Sequence, residues 1–346
     1  MTAATDLPTG RRLDLSDGAS GELDALALHL LRATQQAALA CQPWVGRGDS
    51  DRADGAATAA MRATFDNVPG SGTVVIGEGE KDDAPMLYIG EAVGTGEGFA
   101  FDLAVDPLEN TSACARAGEG AIAVVAAAPD GTMLRSPGWY MDKIVVGPRA
   151  TGVIDITAPV EENLSRIARE LGKPVDRLTT VVLDKPRHEE LVERIRAAGP
   201  SIVLIPDGDV AGALHAVLLD SPADVLLGIG GVPEGIVTAC AVRLLGGDMQ
   251  ASFAPQKDGE LERLQEAGQE PGEPLTLDQL VSTDACSFVA TGVTTSELLR
   301  GPAETPAGWR TQSFVATPGH RQLIIDAVHP EASPDQDISE EEATHA

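Results

Sequence analysis

Cysteine is scarce in this chain: Cys41, Cys114, Cys240 and Cys286 stand far apart and none forms a C-x-x-C pair. That spacing excludes a zinc module and a disulfide framework and fits a reducing compartment. Positive charge is scarce as well, with 25 Lys and Arg against 53 Asp and Glu and a formal net charge of -28. Nucleic acid and anionic membrane are thereby excluded as default partners, because binders of either are usually basic. A phosphorylated small molecule stays open, since a few local cations or a bound metal ion can reverse the field inside one cleft. Long apolar runs are missing too. The longest, AIAVVAAA, is far too short to span a bilayer, and no basic start followed by an apolar core opens the chain, so a cytoplasmic location without membrane contact is expected. The six histidines are scattered, and HEE at 188 lacks the second histidine of a zinc-protease helix. GIGGVPEG lacks the Gly-Lys-Ser/Thr ending of a P-loop.

What is present suffices for one large or two moderate domains in 346 residues. After a polar lead over residues 1–20, ELDALALHLLRATQQAALACQ repeats apolar residues at helical spacing, and an alanine-rich helix is expected from about Ala53 to Asn67. TVVIGE, FAFDLAVD and AIAVVAAA then read as strands between Gly-rich turns, laid against those helices. From about residue 160 strands and helices alternate: LTTVVLD, SIVLIP, ADVLLGIGG, ACSFVATG and LIIDAV are strand patterns, with HEELVERIRAAG and EGIVTACAVRLLG as helices between them. Such alternation predicts a mostly parallel or mixed sheet covered by helices, with ligands at the strand ends. The expected class is α/β (α+β), a layered sandwich of helices and two sheets. A boundary is placed near residue 155, separating an α+β unit (21–155) from an α/β unit (156–330), and the acidic, polar stretch 331–346 is read as a disordered tail.

Carboxylates collect at strategic places: Asp54 near the start of the second helix, Glu78, Glu80, Asp82 and Asp83 in GEGEKDD after one strand, Asp106 and Glu109 in DPLENTS after another, and Glu234 at a helix start after a Gly-rich corner. Hard divalent cations need several oxygen ligands, and strand ends and helix starts can bring them together. Each acid also has a plainer reading. Asp54 suits the macrodipole at a helix N-terminus, GEGEKDD a solvated turn, DPLENTS a capped turn, and Glu234 the first turn after Pro233. Several carboxylates in one pocket would repel one another without a cation, but composition leaves open whether they share one.

In order along the chain, GRGD, ADGAA, AMR, IGEGEKDDAPMLYIGE, AVDPLENT, YMDKIVVGP, KPRH, IPDGDV and GIGGVPEG resemble the motifs of class II fructose-1,6-bisphosphatases of the GlpX type. These belong to the lithium-sensitive, metal-dependent sugar and inositol phosphatases, and the resemblance runs from about residue 22 to 328. It implies an αβαβα sandwich, a phosphomonoester hydrolase and a homodimer or tetramer. Asp54, Glu78, Asp106, Glu109 and Glu234 match the family's Mg2+ or Mn2+ ligands. Thr111 matches the residue that orients the attacking water, with Asp54 holding its hydroxyl and Glu80 and Asp82 as further supports of that water. A helix beginning at Glu109 would aim free N–H groups at the scissile phosphate, which makes Glu109, Asn110 and Thr111 part of the substrate cradle. Tyr140, Lys185, Pro186, Arg187, Asp207, Gly208, Asp209 and Gly231 match positions that hold the sugar and its second phosphate. Lys185 and Arg187 suit the distal phosphate, Arg with a planar fork, and the two aspartates suit sugar hydroxyls.

Three departures stand out. Ser50 occupies the place of the family's lysine after GRGD. Asn110 replaces its glycine; asparagine tolerates positive φ better than most residues, so the turn is expected to survive with a side chain beside the phosphate. The stretch between GGDMQ and STDACSF is short and lacks most of the family's charged segment. The expected substrate is fructose 1,6-bisphosphate. Another sugar bisphosphate of seven or eight carbons, or a metabolite-binding regulatory role without turnover, is the alternative.

Overall fold

The computed structural model describes residues 17–79 and 86–330. The lead before residue 17, the acidic stretch after residue 330, and Glu80, Asp82 and Asp83 lie outside the described residues. The chain opens with α1 (Asp17–Ala40) and α2 (Ser50–Phe65), followed by β1 (Gly70–Ile76), β2 (Ala92–Glu97), β3 (Ala100–Glu109), α3 (Thr111–Arg116) and β4 (Ile122–Pro129). Next come β5 (Tyr140–Val146), α4 (Val160–Leu171), β6 (Thr179–Leu183), α5 (Glu189–Ala198), β7 (Ser201–Ile205), α6 (Asp209–Val217), β8 (Val225–Gly231), α7 (Val232–Leu245) and β9 (Asp248–Phe253). The last elements are α8 (Glu260–Glu266), β10 (Leu275–Thr276), α9 (Leu277–Leu280), β11 (Ser287–Gly292), β12 (Ala303–Thr305), β13 (Gly308–Ala316) and β14 (Leu323–His329).

Among the described residues the strands form two sheets. One runs β12-β13-β11-β4-β3-β1-β2 with β14 added on β13, and the other runs β10-β9-β5-β8-β6-β7. The first is antiparallel apart from β1 beside β3. In the second, β6 is parallel to β7 and β8 while β5 is antiparallel to β8 and β9, so this sheet is mixed.

The central strand β4 shows why the layers stack. It is buried along its whole length, as a strand covered on both faces must be. Successive side chains point to opposite faces. Ile122, Val124, Ala126 and Ala128 enter the core between the sheets, whereas Ala123, Val125 and Ala127 enter the core beneath α1 and α2. Helix α7 is apolar nearly all round and buried at Val232, from Gly235 to Val242 and at Leu244, which suits a helix held between two sheets. A third core, with Leu164, Ile167, Val192 and Ile195, seats α4 and α5 on the outer face of the second sheet. The layers are therefore helix, sheet, helix, sheet, helix.

The chain moves to the second sheet between β4 and β5 and returns to the first at β11, so residue 155 lies within the stretch that builds the second sheet. ACSFVATG and LIIDAV, read as members of the later alternating run, form strands of the first sheet. Phe288 and Ala290 of β11 face the inter-sheet core and Val289 the opposite core, matching β4 beside it. The four cysteines are buried and free of disulfides.

Candidate active site and metal cleft

The DPLENTS stretch is built by a β-bulge. Along the β3–β4 ladder Asp106 lies opposite Val124 and Glu109 opposite Ile122, so three steps on β3 meet two on β4. Pro107 has no N–H to give the ladder, and the N–H of Leu108 donates instead to Asp106 Oδ1 at 3.1 Å. In a regular strand, residues three apart face opposite ways; bulges re-aim side chains, and here both acids reach one cleft. Helix α3 starts at Thr111, not at Glu109 as expected, because Glu109 is still the last residue of the strand. Asn110 makes the corner in the left-handed region (φ 63°, ψ 52°) and its Oδ1 accepts the N–H of Ala113 at 3.2 Å. Its amide also donates to the carbonyl of Asp207 at 3.4 Å.

Asp54 comes from α2, whose first turn is capped by Asp49 accepting the N–H of Arg52 at 3.1 Å. Glu78 follows β1, its N–H bonded to the carbonyl of Leu87 at 3.0 Å. Glu234 sits in the first turn of α7, after Pro233. All five acids line one open cleft of about 280 Å³, together with Asn110, Thr111, Asp207, Gly208 and Asp209.

Burial raises the pKa of every one of the five, and neighbouring carboxylates add to the rise. Glu78 is pushed up to about 8 by burial first, then by Asp54 and Glu234. Glu234 is pushed up to about 7 by burial and by Asp209, against the pull of Lys143. Asp54 is raised by burial and by Asp51. Asp106 is raised well above the ordinary carboxylate range by burial and by Glu234, Glu109, Glu78 and Asp54, and Glu109 by burial and by Asp209. Glu109 Oε1 accepts the N–H of Val210 at 2.7 Å, but Glu109 Oε2 and Glu234 Oε2 are buried with no hydrogen-bond partner. Orphaned buried oxygens are costly unless something pairs with them. A hard cation satisfies both the orphans and the repulsion. Among the described residues no three acidic, His or Cys side chains are grouped so as to hold a metal ion by themselves.

Of the expected sugar and distal phosphate contacts, Asp207, Gly208 and Asp209 line this cleft, whereas Tyr140, Lys185, Pro186, Arg187 and Gly231 are not among its lining residues. Lys185 Nζ is 3.6 Å from Asp207 Oδ2, and Pro186 opens the short turn Pro186–His188 that carries Arg187. The Arg187 guanidinium donates to the carbonyl of Ile229 at 3.0 and 2.8 Å and lies 5.3 Å from the Tyr140 ring centroid. Tyr140 pairs with Gly231 across β5 and β8. A Cβ at Gly231 would lie 1.8 Å from Glu234 Oε2, so only glycine leaves room for that carboxylate. Asp209 reaches the cleft, but its Oδ2 is held by the buried ammonium of Lys143. Ser50 begins α2, its hydroxyl 3.3 Å from Asp51 Oδ1, and is not among the residues lining the cleft.

Three side chains here were not singled out from the sequence. Lys143, in the middle of YMDKIVV, bonds Asp209 and the carbonyl of Gly231 at 3.2 Å; a lysine inside an otherwise apolar strand was its only signal. His188 accepts the N–H of Ile229 at Nε2 (2.7 Å), with Nδ1 2.8 Å from the carbonyl of Leu183, and so ties the KPRH turn to β8. Burial lowers its pKa, consistent with a neutral ring donating at Nδ1. Lys257 lies 5.5 Å from the Tyr140 ring centroid, in a segment where the sequence reading finds no motif.

Residues 24–329 match the family described as bacterial fructose-1,6-bisphosphatase, glpX-encoded. A fructose-1,6-bisphosphatase class 2 of Haemophilus influenzae is 44% identical over 80% of this chain and 87% of its own length. The fructose-1,6-bisphosphatase 1 class 2 of Escherichia coli K12 is 45% identical over 80% of this chain and 86% of its own length. With a profile spanning most of the folded chain and relatives this similar along most of their length, the chain belongs to the glpX-encoded bacterial fructose-1,6-bisphosphatase family.

Proposed function

We propose that this chain is a metal-dependent phosphatase that hydrolyses fructose 1,6-bisphosphate to fructose 6-phosphate and phosphate. The convergence of Asp54, Glu78, Asp106, Glu109 and Glu234 with Thr111 on one cleft carries the reading. Those five carboxylates would hold Mg2+ or Mn2+, their oxygen-only donor set being the hard-cation type. When bound, the metal supplies Lewis-acid neutralisation of charge on the phosphoryl and leaving oxygens. The protein's part is positioning, because phosphoryl transfer passes through a loose transition state. Thr111, at the corner set by Asn110, orients the attacking water through its hydroxyl, and a neighbouring cleft carboxylate such as Asp54 takes the next hydrogen bond. Lys185 and Arg187 hold the phosphate that is not cleaved, and Asp207 accepts from sugar hydroxyls. Among the described residues no helix is long and apolar enough to cross a membrane; action in the cytoplasm as a homodimer or tetramer completes the reading. A seven- or eight-carbon sugar bisphosphate is favoured instead if the Asn110 amide, standing between the cradle and Asp207, reshapes the sugar site.

Phosphate release from a panel of sugar mono- and bisphosphates, with Mg2+, with Mn2+ and with chelator, tests this. The expected result is metal-dependent release led by fructose 1,6-bisphosphate and abolished in Glu78→Gln and Asp106→Asn with the melting temperature kept. A different leading substrate would shift the assignment to that sugar, and turnover in chelator or in either variant would overturn the site.

A further inference from the structure

The segment between GGDMQ and STDACSF, where this chain departs from the family pattern, is folded against the start of β5. Strand β9 pairs with β5 from Met141 to Val146, and the chain then turns through Gln256 and Lys257 into α8. Glu260, the first residue of α8, is fully buried. Its Oε1 accepts the N–H groups of Trp139 and Tyr140, both at 2.7 Å, and its Oε2 accepts those of Gln256 and Lys257 at 2.9 and 3.4 Å. A single carboxylate thereby fixes the turn at 256–257 to the start of β5. Lys257 Nζ ends 5.5 Å from the Tyr140 ring centroid and 5.3 Å from that of Trp139.

Directly opposed residues of antiparallel strands project to the same face, and Tyr140 opposes Gly231, whose side-chain position is filled by the Glu234 carboxylate. The Tyr140 ring therefore stands on the same face of the sheet as the Glu234 carboxylate, with Arg187 and Lys257 against it. Both cations keep their charge for a ligand: Arg187 donates to a neutral carbonyl, and the Glu260 oxygens are taken up by main-chain N–H groups. The chain has only five lysines, and Lys185, which leans on Asp207, is carried two residues before Arg187. Cations gathered so closely in a protein of net charge -28 create a local field for an anion.

We propose that Lys257 is a substrate-binding residue. With Lys185 and Arg187 it holds the phosphate that is not cleaved, on the platform of the Tyr140 ring, and Glu260 is its positioning residue. This rests on the reading of the substrate as a sugar bisphosphate. It makes the divergent segment a determinant of preference for a second phosphate, supplied by this chain's own sequence.

The test compares wild type, Lys257→Met, Lys257→Arg and Glu260→Gln on fructose 1,6-bisphosphate and on fructose 1-phosphate, which has the same scissile group and no second phosphate. In Lys257→Met the ratio of kcat/KM for the bisphosphate to that for the monophosphate should fall about tenfold, about 1.4 kcal/mol, with the loss carried by KM. Lys257→Arg should recover most of the ratio and Glu260→Gln should lose it in the same direction. An unchanged ratio in Lys257→Met, whether both substrates slow together or neither does, overturns the proposal. Calorimetric binding of fructose 1,6-bisphosphate to the metal-free protein decides it apart from turnover. Wild type that binds tenfold more tightly than Lys257→Met upholds it even if the bisphosphate is not the substrate, whereas equal binding or none overturns it.

Discussion

Metal binding in this cleft should depend steeply on pH, and the carboxylates set the direction. In the metal-free protein Glu78 titrates at about 8 and Glu234 at about 7. A cation takes a carboxylate only after its proton has left, so protons retained in the cleft compete with the metal. Near pH 9 both groups are ionised. Near pH 6 Glu78 is about two units and Glu234 about one unit below its titration point; at about 1.4 kcal/mol per unit the two together cost about 4 kcal/mol. Water in the open cleft screens part of this. The expected loss of Mg2+ affinity from about pH 9 to about pH 6 is therefore between tenfold and a thousandfold.

Folding of the metal-free protein runs the other way. A carboxyl whose folded pKa is raised binds more protons folded than unfolded between its two pKa values. For Glu78 the contribution to stability is fully present below the ordinary value of 4.5 and is lost as pH rises through about 8. The assay is calorimetric titration of Mg2+ into chelator-stripped protein at three pH values, in two buffers of different ionisation enthalpy, with thermal melts alongside. Release of one to two protons per site near neutrality is expected, with a larger metal-induced rise in melting temperature at high pH than at low. Equal affinity across the range with no proton release would refute the mutual burial of these acids as the source of their pKa values.

Gly231→Ala places a Cβ 1.8 Å from Glu234 Oε2, so the carboxylate must leave its position; kcat/KM should fall by about a hundredfold or more, and full activity at an unchanged melting temperature would contradict the geometry. At Asn110, glycine keeps the left-handed corner but loses the cap on Ala113, so Asn110→Gly should change stability by less than about 1 kcal/mol in urea unfolding. Asn110→Val forces a β-branched residue into positive φ and should cost about 2 kcal/mol or more, and equal stability of the two variants would remove backbone strain from the account.

Periodicity found the elements that are apolar by themselves. α1, β4 and α7 are long or continuous apolar patterns, and each forms where its pattern predicts. β5 was not read as a strand, because Asp142 and Lys143 interrupt its apolar run, and Lys143 is acceptable there only through Asp209, which arrives from a different element. β9, DMQASF, has no β-branched residue and is held as a strand by its ladder to β5. Sheet membership was no easier to see. β11 is buried on both faces, so its pattern fits either sheet, and only pairing with β4 settles which.

For the site, the acids were visible as acids at strand ends and helix starts, but their meeting depends on four separate corners of the fold and on a bulge that Pro107 only hints at. Asn110 shows what the sequence could and could not say. Its identity predicted a surviving left-handed corner, and the φ of 63° agrees. Its side chain lines the cleft and is engaged on both sides, accepting from Ala113 and donating to Asp207. Gly208 makes room for it: a Cβ there would approach the Asn110 amide to 3.3 Å, in a residue whose own φ is +88°. The amide thus joins the cradle corner after β3 to the loop before α6, a link that a glycine at 110 has no side chain to make. The departure is absorbed by contacts between two loops of the protein.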